Sequence, residues 1–174
     1  MCGIGGFSLD RPNLEFNKRI LKMLDSLSHR GPDSSGYFQN SLTSLIHTRL
    51  SIIDIDGGKQ PIENDGLVLV ANGEIYNDLE IRQNVKKYKF ITNSDSESIL
   101  ALYKEFGLKG LDKLRGMYAF ALYDKKNDQL ILSRDEFGIK PLYFSRLEEG
   151  IIFSSEIQAI VKLKKKESKI NEKK

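Results

Sequence analysis

The sequence predicts an α+β domain built from layers of sheet and helix. Strand-like segments come first, helical segments follow, and hairpin-forming strands make up most of the last third of the chain. A regular alternation of strand and helix, which a doubly wound parallel sheet requires, is missing. At 174 residues the chain is long enough for one domain with a sizeable core.

The first third predicts two strands with a helix and a loop between them. Residues 2–9 are expected to form a strand, and Asn17 is expected to cap a helix. The apolar face of that helix contains Ile20, Leu21, Leu24 and Leu27. Residues 29–36 are expected to be a loop, residues 42–53 a second strand and residues 54–66 a long loop.

The middle of the chain contains its most apolar strand. Residues 67–71 form a continuous apolar run, which predicts a strand that is buried on both faces. Residues 78–84 predict a short helix. Ser94 or Asp95 is expected to cap a longer helix that ends at Gly107.

The last third predicts two hairpins and a final helix. The first hairpin pairs residues 117–123 with 130–134, and the second pairs residues 141–145 with 151–154. Residues 156–163 are expected to form a short helix.

Composition favours a globular protein of the reducing cytoplasm. Apolar residues make up 40% of the chain, and no apolar run reaches the roughly 18 residues of a membrane span. The net charge is +3, but residues 164–174 hold six Lys and two Glu. The net charge of the other residues is therefore −1, and they offer no basic face for nucleic acid. The single cysteine excludes an internal disulfide, and with two histidines it makes a poor set of metal ligands.

Cys2 is the first candidate for chemistry. If Met1 is removed, a thiol and a free α-amino group lie on one residue, and an N-terminal amine can activate its own side-chain nucleophile. Taken alone, a free cysteine is more often a small buried hydrophobic residue. The nucleophile hypothesis therefore depends on the rest of the chain.

Several segments place polar residues beside glycines where a plain core would be apolar. They are residues 2–3, 29–33, 49–53, 72–77, 94–97 and 138–143. In this order the motifs resemble the N-terminal glutaminase domain of glutamine-hydrolysing asparagine synthetases, which are class II glutamine amidotransferases and N-terminal-nucleophile hydrolases. The resemblance covers about residues 1–163, leaving 164–174 as a basic tail that resembles the start of a synthetase domain. It implies a four-layer αββα sandwich of two antiparallel sheets.

The resemblance also implies a reaction, in which L-glutamine and water give L-glutamate and ammonia. Cys2 would attack the side-chain amide and form a glutamyl thioester, with its own α-amino group as base. Asn72 and the backbone N–H of Gly73 would form the oxyanion hole. A glycine at position 73 would let the backbone approach the substrate closely.

Two charged residues would hold the ends of the amino acid, according to the same resemblance. Arg49 would pair with the α-carboxylate, and Asp95, assisted by Glu74, would bind the α-ammonium. By themselves these residues are better explained as a surface arginine and a helix cap. The pocket lining would come from Leu50, Ser51, Ile52 and Ile53.

Some features of the family are missing or altered. Glu136 stands where the family usually has Arg or Pro, and residues 29–33 and 138–143 are interpreted as architectural. The Ser-Gly-Gly-Leu-Asp-Ser type of pyrophosphate loop is absent. ATP and Mg²⁺ are therefore expected only in a synthetase domain or subunit that receives the ammonia, and this chain is expected to need no cofactor. The alternatives are a glutaminase that feeds a sugar or peptide acceptor, and a non-catalytic glutamine-binding regulatory domain.

Overall fold

Nine strands and five α-helices make up the part of the chain that the computed structural model describes, which is residues 1–52, 54 and 57–164. The strands are β1 (Gly3–Leu9), β2 (Ser34–Gln39), β3 (Thr43–Arg49), β4 (Ile62–Asn64), β5 (Leu67–Ile75), β6 (Gly116–Asp124), β7 (Gln129–Arg134), β8 (Tyr143–Leu147) and β9 (Gly150–Ser154). The helices are α1 (Leu14–Ser26), α2 (Asp78–Asn84), α3 (Glu97–Phe106), α4 (Leu108–Leu111) and α5 (Ile157–Leu163). Ile53 and all of the predicted basic tail except Lys164 lie outside the described residues.

The strands form two antiparallel sheets. The first sheet has the order β2-β3-β1-β9-β8, and the second has the order β4-β5-β6-β7. Both predicted hairpins are present, as β6–β7 and β8–β9. The chain thus begins and ends in the first sheet, and its middle forms the second.

Three hydrophobic clusters separate four layers. One cluster lies between the sheets and joins Ile4 and Leu45 of the first sheet to Val68 and Val70 of the second. A second cluster packs α1 and α5 against the outer face of the first sheet. The third packs α2 and α3 against the outer face of the second sheet. This arrangement confirms the expected αββα sandwich.

The apolar run at residues 67–71 is buried on both faces, as its sequence predicts. Val68 and Val70 point between the sheets, whereas Leu67 and Leu69 point to the helices, because successive side chains of a strand alternate. The strand continues to Ile75, so Asn72 and Gly73 lie inside β5 and not in a hairpin turn.

The prediction that Asn17 caps the first helix is wrong. Helix α1 begins one turn earlier, at Leu14, and the side-chain oxygen of Asn13 accepts a hydrogen bond from the N–H of Glu15 at 3.0 Å. The hydrophobic pattern did not predict this first turn, because Leu14 is exposed and does not belong to the buried face of the helix. The capping prediction for α3 is also wrong, since Ser96 occupies that position without a side-chain bond.

Four short elements were not predicted from the sequence. They are strand β2, whose first three residues fall in the expected loop 29–36, strand β4 within the expected loop 54–66, helix α4, and a 3₁₀ helix at Ser28–Arg30. Strand β2 is an edge strand with no fully buried residue, so it lacks the apolar alternation that marks a half-buried strand. Within the described residues, no helix combines the length and the apolar character needed to cross a membrane.

Candidate active site

The candidate residues lie on the inner faces of the two sheets, at one end of the layer between them. Arg49 shares the inner face of β3 with Leu45, and Asn72 shares the inner face of β5 with Val70, because strand side chains alternate. Gly3 pairs with Thr48, and extending this register by one residue places Cys2 beside Arg49. The nucleophile candidate and the two polar candidates thus converge from both sheets.

These residues line one pocket of about 150 Å³. Its predicted members are Cys2, Arg49, Leu50, Ile52, Asn72, Gly73, Glu74 and Asp95. Ser51 is not among the lining residues, and its N–H is bonded to Asp33 at 2.7 Å instead. Ile53 lies outside the described residues.

The thiol of Cys2 lies against the backbone of Leu50. The Leu50 N–H donates to the sulfur at 3.4 Å, and the thiol lies 3.7 Å from the Leu50 carbonyl oxygen. The Cys2 carbonyl accepts a bond from Arg30 at 3.0 Å, and Arg30 is paired with Glu156 at 3.1 Å. The segment at residues 29–33 therefore packs around the N-terminus, which agrees with its architectural interpretation.

The side-chain amide nitrogen of Asn72 has no hydrogen-bond partner among the described residues. The residue is 2% exposed, and its Nδ2 atom is buried without a hydrogen-bond acceptor. Buried polar groups are normally paired, because an unpaired donor loses its bonds to water without replacement. This free donor faces the pocket that contains Cys2.

The N–H of Gly73 faces the same pocket. On the edge of β5 away from β6, the N–H of Ala71 donates to the Gln60 side chain and that of Ile75 to Asp95, each at 2.6 Å. The N–H groups of alternate residues in a strand point to the same side. That of Gly73 lies between these two, beside the free amide of Asn72.

The need for glycine at position 73 comes from the neighbouring strand. A Cβ there would lie 2.3 Å from the carbonyl oxygen of Met117 and 2.7 Å from the Cα of Tyr118, both in β6. Close approach to the substrate was the predicted reason. The structure adds a steric reason within the sheet, which fixes the position of the Gly73 N–H.

Arg49 and Asp95 bring opposite charges to the pocket. Arg49 is 5% exposed and donates to the Asp54 carbonyl at 2.6 Å, so it is not the surface arginine that its sequence position alone suggests. Asp95 is also buried, and it accepts the N–H of Ile75 at the end of β5. Burial raises the pKa of Asp95, and the N–H groups of Ile75 and Ser96 oppose that rise.

His47 is a pocket residue that sequence reasoning missed. It is 1% exposed, its Nε2 lies 3.2 Å from the carbonyl oxygen of Ala71, and its Nδ1 has no partner among the described residues. Burial lowers its pKa to about 4; the bond to Ala71 opposes this shift, and the charge of Arg49 adds to it. The available signal was the two-residue spacing of His47 and Arg49. Residues two apart in a strand lie on the same face, so His47 shares the face of Arg49.

Comparison with known proteins places this site in a family. A family model described as a glutamine amidotransferase domain matches residues 1–174. Asparagine synthetase B of Escherichia coli is 44% identical over 166 residues, covering 92% of this chain and 30% of that protein. The glutamine-hydrolysing asparagine synthetase 2 of Bacillus subtilis is 41% identical and covers 92% of this chain and 22% of that protein. The chain thus spans less than a third of the length of these relatives.

Solved structures support the fold independently. A glutamine phosphoribosylpyrophosphate amidotransferase from B. subtilis, complexed with ADP and GMP, superposes with a TM-score of 0.72 at 23% identity. The match covers 93% of this chain and 43% of that one. At this identity the likeness supports the fold alone. The chain therefore belongs to the glutamine amidotransferase domain family.

Proposed function

We propose that this chain hydrolyses L-glutamine to L-glutamate and ammonia through a glutamyl thioester on Cys2. The observation that carries the proposal is the free, buried amide donor of Asn72 beside the N–H of Gly73, in the pocket that contains the Cys2 thiol. Two donors at this place fit an oxyanion that forms when the thiol adds to a carbonyl carbon.

The first half of the reaction forms the thioester. Once Met1 is removed, the α-amine of Cys2 takes the thiol proton, and the sulfur forms a bond to the amide carbon of glutamine. Asn72 and Gly73 donate to the resulting oxyanion. The oxyanion then collapses, the carbon–nitrogen bond breaks, and the α-ammonium returns its proton to the leaving nitrogen, which departs as ammonia.

The second half releases glutamate. Water attacks the thioester carbon, and the α-amine accepts the water proton. The same two donors stabilise the second oxyanion, the carbon–sulfur bond breaks, and the proton returns to the sulfur. Thiol and amine are then restored for the next turnover, and no metal or cofactor takes part in this scheme.

The amino-acid ends of glutamine are recognised by charge. The guanidinium of Arg49 binds the α-carboxylate, since its planar fork matches two carboxylate oxygens. The carboxylate of Asp95 binds the α-ammonium, and Glu74 adds negative charge nearby. The backbone of Leu50 and the side chain of Ile52 complete the lining, and Ser51 and Ile53 belong to the same proposed segment.

The proposal extends to a partner that consumes the ammonia. The similarity to asparagine synthetases supports a synthetase domain or subunit that uses ATP and Mg²⁺ to make asparagine. Residues 1–163 form the glutaminase domain in this proposal. A cytoplasmic location fits, because Cys2 must remain a reduced thiol.

The test compares the parent chain with Cys2→Ala and with a chain that retains a peptide before Cys2. Intact mass first establishes that Met1 is absent from the parent chain. Glutamate release from glutamine is then measured, with circular dichroism as the control for folding. The parent should turn over glutamine, whereas both variants should be folded and inactive.

Two outcomes would count against the proposal. Absence of Cys2-dependent turnover would refute the glutaminase reaction. Full activity with the peptide still attached would refute the α-amine as the base, because an acylated nitrogen cannot accept the thiol proton.

A further inference from the structure

We infer that His47 is a positioning residue, which holds the donors of Asn72 and Gly73 opposite Cys2 by binding the carbonyl of Ala71. The inference rests on the glutaminase reaction proposed above, because the donors matter only if an oxyanion forms there.

The bond of His47 crosses from one sheet to the other. His47 lies in β3 of the first sheet, where it pairs with Ile4, two residues after Cys2. Its Nε2 lies 3.2 Å from the carbonyl oxygen of Ala71, which lies in β5 of the second sheet. The bond thus links the strands beside the nucleophile to the residue that immediately precedes Asn72.

A neutral imidazole with its hydrogen on Nε2 fits this contact. A carbonyl oxygen only accepts, so Nε2 must donate and Nδ1 keeps its lone pair. Burial and the adjacent charge of Arg49 both lower the pKa of His47, to about 4, so the ring is uncharged at neutral pH. The donor is therefore constant over the pH range in which an amine and a thiol react.

The unpaired Nδ1 argues against a purely structural role. It is buried without a partner among the described residues, and a buried acceptor in this state lowers stability. A leucine would fill the same space without that loss. The polar ring is explained if its Nε2–H is needed to fix the Asn72–Gly73 segment, since a donor displaced from its place loses much of its effect on rate.

Thr48 provides a matched control on the same strand. Its hydroxyl is also buried and donates to a backbone carbonyl, that of Leu27, at 3.0 Å. This bond lies on the outer face of the first sheet, away from the pocket. Thr48→Val therefore removes a comparable side-chain bond to the backbone without touching the proposed donors.

The experiment measures kcat, KM and the rate of Cys2 alkylation by iodoacetamide for the parent, His47→Leu, His47→Gln and Thr48→Val. His47→Leu should lower kcat about 10- to 100-fold, less than the loss of a whole oxyanion donor, and leave KM and alkylation near parent values. Alkylation does not need the oxyanion hole, so it reports whether the thiol itself is intact. His47→Gln should recover much of the kcat, because its amide N–H can reach the Ala71 carbonyl. Thr48→Val should keep the parent kcat.

Three results would overturn the inference. They are an equal kcat in His47→Leu and Thr48→Val, no recovery of kcat in His47→Gln, or a loss of Cys2 alkylation that matches the loss of turnover.

Nitrogen-detected NMR of the labelled parent chain adds a readout that does not depend on activity. A His47 ring with its hydrogen on Nδ1 would also overturn the inference. If the parent itself shows no Cys2-dependent turnover, the proposed function fails and the inference fails with it, whereas an active parent with an unaffected His47→Leu refutes the inference alone.

Discussion

The N–H of Ile75 donates to a carboxylate oxygen of Asp95 at 2.6 Å, which ties the end of β5 to the turn before α3. The same carboxylate lines the pocket with Asn72 and Gly73. Asp95 thus stabilises the fold through this hydrogen bond, and its negative charge remains available to bind a ligand. An asparagine in its place keeps an acceptor for the Ile75 N–H and removes only the charge.

Asp95→Asn should separate the two tasks of this residue. We expect a folded chain whose kcat/KM for glutamine falls about 30-fold or more, because the substrate ammonium loses its buried ionic partner. Most of the change should appear in KM. Steady-state kinetics with a thermal melt measure both effects, and Asp95→Ala serves as the comparison that loses the structural bond as well. An unchanged KM in Asp95→Asn would contradict the proposed role.

Asn72→Leu should lower the rate without lowering stability. Loss of an oxyanion donor typically lowers kcat about 100- to 1,000-fold. Since the Nδ2 of Asn72 has no partner in the described structure, an apolar residue of similar size should leave the melting temperature unchanged or raise it. The control is Asn64→Leu, which removes a side-chain bond to the Lys89 carbonyl at 2.9 Å and should lower stability without affecting kcat. A large stability loss in Asn72→Leu would show that its amide is paired.

Gly73→Ala should harm both the fold and the rate. The added Cβ would collide with the Met117 carbonyl at 2.3 Å, so β5 and β6 must move apart and the N–H must shift. Overpacking of this kind lowers the free energy of unfolding by about 1–3 kcal/mol. Denaturant unfolding and kcat measure the two effects. Gly66→Asn is the control, because Gly66 has φ +78 with open space around it and asparagine tolerates this conformation. Parent-like stability and kcat in Gly73→Ala would contradict the steric argument.

Buried His47 should make the fold less stable in acid. Its pKa is about 4 in the folded chain against an ordinary 6.5, so the unfolded chain binds more protons between these values. The free energy of unfolding should therefore fall as the pH drops from 6.5 to 4, by about 3 kcal/mol at most from this residue. His47→Gln should reduce the slope over this range in urea titrations. Thr48→Val, which removes a buried side-chain bond but no titrating group, should keep the parent slope, and equal slopes in all three chains would contradict the burial argument.

The sequence predicts the elements whose signal is local. The apolar run at 67–71 specifies a doubly buried strand by itself, and the polar turns specify the hairpins β6–β7 and β8–β9. Local patterns fail where burial is partial. The first turn of α1 was missed because Leu14 is exposed and so lies off the buried face of the helix. The edge strand β2 was missed because it has no fully buried residue and no alternation of buried and exposed side chains to mark it.

The site residues also divide into those that have a signal in the sequence and those that do not. Cys2, Arg49, Asn72 and Asp95 were found because they occur in ordered motifs of a known family, and the fold brings all of them to one pocket. His47 was missed because its partner, Ala71, belongs to the other sheet, and no spacing along the chain reveals that contact. The steric demand on Gly73 was missed for the same reason, since the colliding atoms belong to β6.

The outer helical layer on the first sheet has a practical consequence for anyone who handles this protein. The proposed chemistry forbids any attachment before Cys2, yet no residue of α1 or α5 lines the described pocket. Helix α1 also presents Leu21 to solvent, with 53% of its surface exposed, so the prediction that Leu21 lies on the apolar face of this helix is wrong. A fluorophore or surface tether fixed at that position would leave the reactive amine free, and would allow the chain to be immobilised or tracked while it works.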